Sequence, residues 1–399
     1  MKYNLCEISD VALFRSRVMA DDALAARLYA MEDADEFIAQ LISSAASLGM
    51  HLSETALLQA ARPDPANISR FMPRPPDGTV WPSPQWLPMH VSTTGNHPMI
   101  DWAWFGDAPL TEPFLEDSIR RVMRRPFNRL FTYRMTLADF LADARRHESL
   151  TPDGFILHMS RCGSTLVAQM LAALPENIVI SEAAPVDSVV QFIRVMPTSA
   201  DLLPAIIAAY GRRRSGSQRR YFLKLDCWHT LALPLLRQTF AATPWIFLYR
   251  DPVEVLVSHM RQRGAQMVPM ITPPELYGLA CHTGHADPDY CARVLGVICE
   301  AAAAHLKDGG MAINYRDLPG ALASRILPHF GVHPSAPDLV RMTAAAQRDA
   351  KAPAFAFTDD RADKQAAASE TLRVTAEKHL GAVYRRLVAL HFDGGGFPL

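Results

Sequence analysis

The apolar residues between 154 and 399 form short continuous runs separated by segments with helical spacing. The runs are "FILHM", "NIVIS", "YFLKL", "WIFLYR" and "MAINY". Continuous apolar runs are typical of strands buried on both faces, and their alternation with helices is typical of a parallel sheet. The pattern therefore predicts an α/β fold, a parallel sheet with helices on both faces. In such sheets ligands bind at the carboxyl ends of the strands.

The first 150 residues follow different patterns. Apolar residues recur at helical spacing through most of residues 9–60, which predicts several helices. Residues 61–88 contain eight prolines, which predicts a linker or an extended surface segment. We predict a helical domain at 1–60, a proline-rich linker with a mixed substrate or cap region at 61–150, and an α/β domain with C-terminal helices at 151–399.

Composition narrows the class of protein. The chain is 49% hydrophobic and 20% charged, which is enough apolar sequence for a large core. Its formal net charge of −1 argues against a nucleic-acid partner. The N-terminus lacks the apolar stretch of a secretory signal, and no apolar run approaches the length of a membrane span. We therefore expect a cytoplasmic protein with no nucleic-acid or membrane partner.

The segment "HMSRCGSTL" (158–166) joins the first strand of the α/β part to a helix. Gly163 permits close backbone approach, Ser164 and Thr165 offer hydroxyls, and Arg161 offers a cation. The helix N-terminus adds N–H groups without intrahelical partners. The loop is P-loop-like and suits a phosphate, although the GxxxxGK[ST] motif is absent. A plain strand-to-helix turn with a serine N-cap is the alternative.

A second strand end repeats this combination of arginine and hydroxyl. The segment "FLYRDPVEVLVSHMRQ" ends a strand at Arg250 and starts a helix at Pro252. Asp251 is the predicted N-cap, and Glu254 would complete a capping box. Ser258 follows two helical turns along. An arginine and a hydroxyl held at a rigid corner can bind a second phosphate.

The two segments together resemble the PAPS-dependent sulfotransferases, where PAPS is 3′-phosphoadenosine 5′-phosphosulfate. The resemblance covers roughly residues 154–332 and is closer to the tyrosylprotein and heparan branch than to the cytosolic small-molecule branch. It implies that Arg250 and Ser258 bind the 3′-phosphate. It also implies that the first loop binds the 5′-phosphosulfate, through Arg161, Cys162, Gly163, Ser164 and Thr165.

The same resemblance assigns three further residues. Glu182, at the end of "NIVIS", takes the position of the general base. Lys224 in "YFLKL" takes the position of a cation that contacts the phosphosulfate, and it is one of only six lysines in the chain. Tyr315 in "NYRDLP" belongs to the family's late Tyr-x-Asp-Leu segment and joins the cofactor-binding set. With Arg161 as a second catalytic cation, no metal is implied.

Several positions depart from the family's pattern. No proline precedes Arg161, and Cys162 replaces a serine. The segment that contacts adenine in the cytosolic branch is not found, so the adenine contacts stay unassigned. Residues 1–60 resemble the helical leader-like domain of nitrogenase-associated proteins and peptide precursors, and this resemblance assigns no role to them.

The sequence leaves alternatives open. His158, His229 or His259 could replace Glu182 as base. Ligand-type side chains in "ACHTGHADPDYC" are too irregularly spaced for a predicted metal site, and the basic run 212–220 is interpreted as a solvated connection. A non-catalytic nucleotide-binding or peptide-interaction module, or a kinase-like P-loop enzyme, are the rival functions. We expect a sulfotransferase acting on a small-molecule or peptide acceptor, whose identity and oligomeric partners the sequence does not specify.

Overall fold

The structure is a computed structural model that describes residues 5–60, 75–93, 98–269, 271–280 and 287–393. The first half of the predicted linker (61–74) and the ligand-type residues Cys281, His282 and His285 lie outside the described residues. None of the described helices is both long and apolar enough to cross a membrane.

The chain contains eight strands and eighteen α-helices among the described residues. The strands are β1 Trp86–Ser92, β2 Met99–Trp104, β3 Tyr133–Thr136, β4 Gly154–His158, β5 Asn177–Ser181, β6 Arg220–Lys224, β7 Trp245–Tyr249 and β8 Gly310–Asn314. The first ten helices are α1 Leu5–Ala20, α2 Asp22–Tyr29, α3 Ala34–Ser47, α4 Glu54–Ala60, α5 Leu115–Met123, α6 Pro126–Leu130, α7 Leu137–Ala144, α8 Ser164–Ala172, α9 Ala184–Val195 and α10 Leu202–Gly211. The remaining helices are α11 Leu233–Thr239, α12 Pro252–Arg261, α13 Pro288–His305, α14 Leu327–His329, α15 Ala336–Ala345, α16 Arg361–Ala367, α17 Glu370–Ala376 and α18 Ala382–Asp393.

The chain divides into two compact units that alternate along the sequence. The first unit contains Met1–Pro109, Phe114–Leu150 and Ala184–Gln218. The second contains Leu110–Pro113, Thr151–Ala183 and Arg219–Leu399. The boundaries drawn from the sequence at 60 and 150 stay a prediction.

The first unit contains a small antiparallel sheet that the sequence patterns did not predict. Strands β1, β2 and β3 pair in that order, with Trp86 opposite Trp104 and a register shift between Pro88 and His90. The strands are short, and the proline and the bulge interrupt the two-residue period. Strand β1 begins inside the segment predicted as a linker (61–88), and β2 and β3 lie in the part of 61–150 predicted as mixed. Trp102, Trp104 and Phe105 are buried in the core of this unit.

The basic run 212–220 is not a solvated connection throughout. Arg212 and Arg214 are buried. Arg212 donates to the carbonyls of Pro82 and Trp86, and its guanidinium lies 5.3 Å from the ring centroids of both Trp81 and Trp102. Burial lowers the pKa of Arg212 to about 10. The arginine thus stabilises the aromatic core of the first unit through carbonyl hydrogen bonds and cation–π contacts.

The second unit contains a five-stranded parallel sheet flanked by helices, as predicted. The strand order is β5-β6-β4-β7-β8, and every pair is parallel. Each strand lies within one residue of its predicted position because a buried parallel strand leaves a continuous apolar run. The chain leaves β4 toward β5 on one side and β7 toward β8 on the other, so a topological switch point lies between β4 and β7. Ligands of open α/β sheets bind at this place.

Candidate active site

The loop between β4 and α8 has an unusual backbone. Ser160, Arg161 and Gly163 have φ of 83°, 53° and 86°. Among the described residues, the non-glycine residues with positive φ are Ser160, Arg161 and Glu182, and all three follow strands at the carboxyl edge of the sheet. Such backbone costs about 1–3 kcal/mol per residue and is typical of functional sites. Successive turns of opposite hand also direct N–H groups toward one point, which suits an anion.

Gly163 has no room for a side chain. A Cβ at this position would lie 2.8 Å from ring atom Cδ2 of Tyr315 and 2.8 Å from Cδ1 of Leu318. Its φ of 86° also disfavours any other residue. The loop after β4 therefore packs directly against the segment after β8.

The predicted pair Glu182 and Lys224 is in contact. Lys224 is fully buried at the end of β6, and its ammonium donates to Oε1 of Glu182, whose side chain is 23% exposed. The N–H of Glu182 donates to the carbonyl of Lys224 at 2.8 Å. Burial alone raises the pKa of Glu182, but the Lys224 charge and His158 outweigh burial and hold the pKa well below its usual range. The carboxylate is therefore ionised, and it is the anion that makes the buried lysine tolerable.

His158 lies on the other side of the same carboxylate. Its Nε2 is 3.3 Å from Oε1 of Glu182, and its Nδ1 accepts a hydrogen bond from the N–H of Ser160 at 3.1 Å. Burial lowers the pKa of His158 although Glu182 opposes that shift, so the ring is neutral. A neutral ring that accepts at Nδ1 carries its proton on Nε2, and this nitrogen lies beside Glu182 without a hydrogen bond of good geometry. His158 thus packs against the carboxylate that Lys224 neutralises.

The side chains of the other residues in the first loop lie in different surroundings. Arg161 donates from Nη2 to the carbonyl of Gln262 at 2.8 Å. Cys162 is buried, its Sγ lies 3.1 Å from the carbonyl of Leu248, and burial raises its pKa to about 12. Only the backbone of Cys162 could therefore contact a ligand. Ser164 and Thr165 are buried at the first turn of α8, where the amides have no carbonyl partner inside the helix.

The second predicted corner forms around Arg250. Its Nε donates to Oε2 of Glu254 at 2.6 Å, and its Nη2 donates to Oδ1 of Asp360 at 3.0 Å. The guanidinium stacks on Tyr315, 4.0 Å from the ring centroid. Burial alone would lower the pKa of Arg250, but Glu254 and Asp360 outweigh it and raise the pKa. Arg250 and Tyr315, both predicted to bind the cofactor, are thus in contact, whereas the sequence gave no indication of Asp360.

The capping of α12 differs from the prediction in one respect. Asp251 is the N-cap and accepts from the amides of Val253 and Glu254, as predicted. The Glu254 side chain, however, pairs with Arg250 and does not complete a capping box, because a buried guanidinium is the stronger partner. Ser258 lies on α12, where its hydroxyl donates to the Glu254 carbonyl at 2.9 Å.

Lys351 is a further basic residue near the site that the sequence patterns did not predict. It lies between Arg348 and Ala356, which form a bridge, and its own N–H donates to Asp349 at 2.8 Å. Lys351 is solvent exposed, but neighbouring atoms partly desolvate its ammonium and lower its pKa to about 8; the Arg161 charge adds to that shift, and Glu182 opposes it. Its charge therefore acts on the same space as the first loop. Lysine is scarce in this chain, and the same scarcity that drew attention to Lys224 could have drawn attention to Lys351.

The other histidines proposed as bases lie apart from Glu182 in their contacts. His229 is buried, with Nδ1 3.9 Å from Oδ2 of Asp226. His259 is buried on α12, where its Nδ1 accepts from the N–H of Gly264 at 3.4 Å. Burial lowers the pKa of His259 to about 3. His158 contacts Glu182, with its Nε2 at 3.3 Å from Oε1.

Several solved structures of sulfotransferases are similar to this chain. Sulfotransferase STF9 from Mycobacterium avium is 13% identical, and the match covers 60% of this chain and 79% of that one with a TM-score of 0.34. The sulfotransferase domain of the Synechococcus olefin synthase is 16% identical over 63% and 98%, with a TM-score of 0.34. Mouse sulfotransferase SULT7A1, solved in complex with PAP, is 12% identical over 64% and 96%, with a TM-score of 0.35. At these values the likeness concerns the fold alone.

No protein-family model matches the chain, and no curated protein sequence matches it.

Proposed function

We propose that this protein is a sulfotransferase that moves a sulfuryl group from PAPS to an acceptor hydroxyl. The observation that carries the proposal is the contact between Lys224 and Glu182 beside the strained loop at the switch point of the sheet. A buried cation, an ionised carboxylate and an anion-binding loop at one strand edge suit the transfer of an anionic group to a hydroxyl.

The donor set fits the 5′-phosphosulfate end of PAPS. The first turn of α8 offers amides, Ser164 and Thr165 offer hydroxyls, and Arg161 and Lys224 offer charge. At the other end, Arg250 and Ser258 supply the donors for a 3′-phosphate, with the Arg250 guanidinium already oriented by Glu254 and Tyr315. When bound, PAPS supplies the sulfuryl group and a phosphate leaving group.

The residues of the chain then have distinct tasks. Lys224 and Arg161 stabilise the negative charge that grows on the leaving oxygen. Glu182 accepts the proton of the acceptor hydroxyl, and His158 keeps its carboxylate in place. Because Lys224 would share its charge between Glu182 and the bound anion, its hold on Glu182 weakens. The pKa of Glu182 rises as a result, so the carboxylate becomes a stronger base only when the anion is present.

Calorimetry tests the nucleotide part of this proposal. We expect 3′-phosphoadenosine 5′-phosphate (PAP) to bind more tightly than AMP or ATP. Arg250→Ala should weaken PAP by a few kcal/mol, the order of a lost buried charge partner, with little change for AMP. Arg316→Ala is the matched control, since that neighbouring guanidinium is 52% exposed. If AMP or ATP binds the wild type as tightly as PAP, the second phosphate site is not at Arg250.

A transfer assay tests the chemistry. A screen of hydroxylated metabolites and peptides with ³⁵S-labelled PAPS should identify an acceptor, which can be a small molecule or a peptide. Binding of PAP without transfer to any acceptor would favour the alternative, a non-catalytic nucleotide-binding module.

A further inference from the structure

The guanidinium of Arg250 already has anionic partners before any ligand arrives. Glu254 accepts from Nε and Asp360 accepts from Nη2. The two carboxylates differ in exposure, because the Glu254 side chain is 9% exposed and the Asp360 side chain is 42% exposed. Glu254 is thus an internal support for Arg250, whereas Asp360 approaches the same guanidinium from the solvent side.

The fold holds Asp360 in this position. Asp360 directly precedes α16, and α16 packs on α12, the helix that begins just after Arg250. Gln365 on α16 donates to Glu254 at 3.3 Å. A second cation, Lys364, contacts the other carboxylate oxygen of Asp360 at 2.6 Å. Asp360 is therefore bound to both Arg250 and Lys364.

The charges of this cluster cancel. Arg250 and Lys364 carry two positive charges, and Glu254 and Asp360 carry two negative ones. A phosphate binds a guanidinium best through two parallel bonds on its terminal nitrogens, and Asp360 already occupies Nη2. A phosphate placed there would also meet the negative charge of the Asp360 carboxylate at close range. Displacement of Asp360 is the direct solution, since its exposure leaves it room to move into water.

We propose that Asp360 is a specificity-determining residue that competes with the 3′-phosphate of the nucleotide for Arg250. This inference rests on the proposed function and deepens it. A nucleotide with a 3′-phosphate must displace Asp360, whereas a nucleotide with a 3′-hydroxyl leaves the pair intact. Asp360 thereby weakens binding of the 3′-phosphorylated substrate and product, which favours release of the product after transfer.

Titration of Asp360→Asn with PAP and with AMP tests the proposal. Asparagine keeps the size of the side chain and removes its charge. We expect PAP affinity to rise about three- to fivefold, the upper part of the range for a partly exposed ion pair, and AMP affinity to stay within about twofold. The dissociation rate of PAP should fall in the same proportion, because most affinity changes appear in dissociation.

Asp359→Asn is the matched control. It makes the same change of net charge one residue earlier, but Asp359 accepts its hydrogen bonds from Arg361. We expect it to leave PAP affinity within about twofold of the wild type. Asp360→Ala serves as a second variant, and thermal unfolding of each variant reports whether it is folded.

The outcomes separate this inference from the proposed function. If wild-type protein prefers PAP over AMP but Asp360→Asn and Asp360→Ala do not strengthen PAP, the competition is refuted and the nucleotide site stands. Equal tightening of PAP and AMP would also refute it, because a general charge effect would explain that result. If neither wild type nor variants prefer PAP over AMP, the proposed function itself is wrong.

Discussion

The parallel sheet has two corners at its carboxyl edge, the first at the end of β6 and the second at the end of β7. Each places a buried cation against carboxylates, but the numbers of carboxylates differ. At the end of β6, one buried lysine faces one carboxylate, Glu182, and a neutral histidine. At the end of β7, one buried arginine faces two carboxylates, Glu254 and Asp360, and an aromatic ring. Lys224 carries one positive charge against the one negative charge of Glu182. Arg250 carries one positive charge against the two negative charges of the carboxylates that it contacts.

This difference determines how each corner can bind an anion. The Lys224 ammonium has three N–H donors and contacts Glu182, so a ligand oxygen can join that contact without replacing Glu182. Arg250 has its Nε and Nη2 occupied, so a ligand has to exchange with a resident carboxylate. Removal of a carboxylate should therefore raise the affinity for an anion more at the second corner than at the first.

The largest effect should come from removing the carboxylate of the first corner. Glu182→Gln keeps the shape of the side chain but removes the base, so we expect turnover to fall about 10²–10⁴-fold. PAP affinity should stay the same or rise slightly, because the Glu182 carboxylate no longer competes with the ligand for the Lys224 ammonium. Steady-state kinetics with labelled PAPS and calorimetry with PAP measure the two effects.

Glu176→Gln is the control for that experiment. Glu176 is a half-buried residue just before β5, at the opposite edge of the sheet, and its substitution should leave turnover unchanged. Unimpaired turnover in Glu182→Gln would transfer the role of base to another group, with His158 the first to test because it contacts Glu182.

A second prediction concerns Gly163, where the two corners meet. Gly163→Ala should destabilise the protein by about 2–4 kcal/mol, from the positive φ and from the contact of its Cβ with Tyr315. Both corners would be displaced, so affinity for AMP and for PAP should fall together. Thermal or denaturant unfolding and calorimetry report these changes.

Gly216→Ala is the matched substitution, since a Cβ there meets nothing within 4 Å. It should be close to neutral in stability. The double variant Gly163→Ala/Tyr315→Ala removes the contact but keeps the backbone strain, so it should recover part of the stability. Wild-type stability in Gly163→Ala would show that the loop does not depend on the contact with Tyr315.

The smallest predicted effect is a pH dependence of PAP affinity, caused by Lys351 near the first corner. The pKa of Lys351 is lowered to about 8 in the free protein, so its ammonium is present below that pH and is lost above it. An anion stabilises the ammonium, so a ligand that binds above pH 8 must bind together with a proton. PAP affinity should therefore fall as pH rises through 8, by at most about tenfold per pH unit.

Lys351→Met should flatten this dependence, whereas Lys378→Met should not, because the Lys378 side chain is 65% exposed and pairs with Asp289. Calorimetry between pH 7 and 10 measures the slope. An unchanged slope in Lys351→Met would place the titrating group elsewhere.

The sequence predicted the parts of the fold that depend on local pattern. The five parallel strands were predictable because each is a continuous apolar run. Arg250 drew attention because it ends such a run, whereas Glu182 and Lys224 were assigned from the family resemblance, and their roles stay predictions. The antiparallel strands of the first unit were missed because Pro88 and a bulge break their period.

The residues near the site that the sequence did not predict were missed for a different reason. Asp360 and Lys351 lie in a polar, alanine-rich segment far beyond the last strand, and nothing in its periodicity indicates which side chain returns to the sheet. That information resides in the packing of α16 on α12 and α15 on α8. Cys162 shows the reverse error, because a residue inside a binding loop can direct its side chain into the core.

The alternation of the two units along the chain has a consequence for synthesis on the ribosome. The first unit needs residues 184–218, which supply the Arg212 contacts to Trp81 and the bond from Tyr210 to the Pro88 carbonyl. Its small sheet can therefore not complete its core until translation has passed residue 218. By then β4 and β5 have been made, but their neighbours β6 and β7 have not. The emerging chain thus carries two incomplete cores at once, and this interval is when a chaperone would be most useful to it.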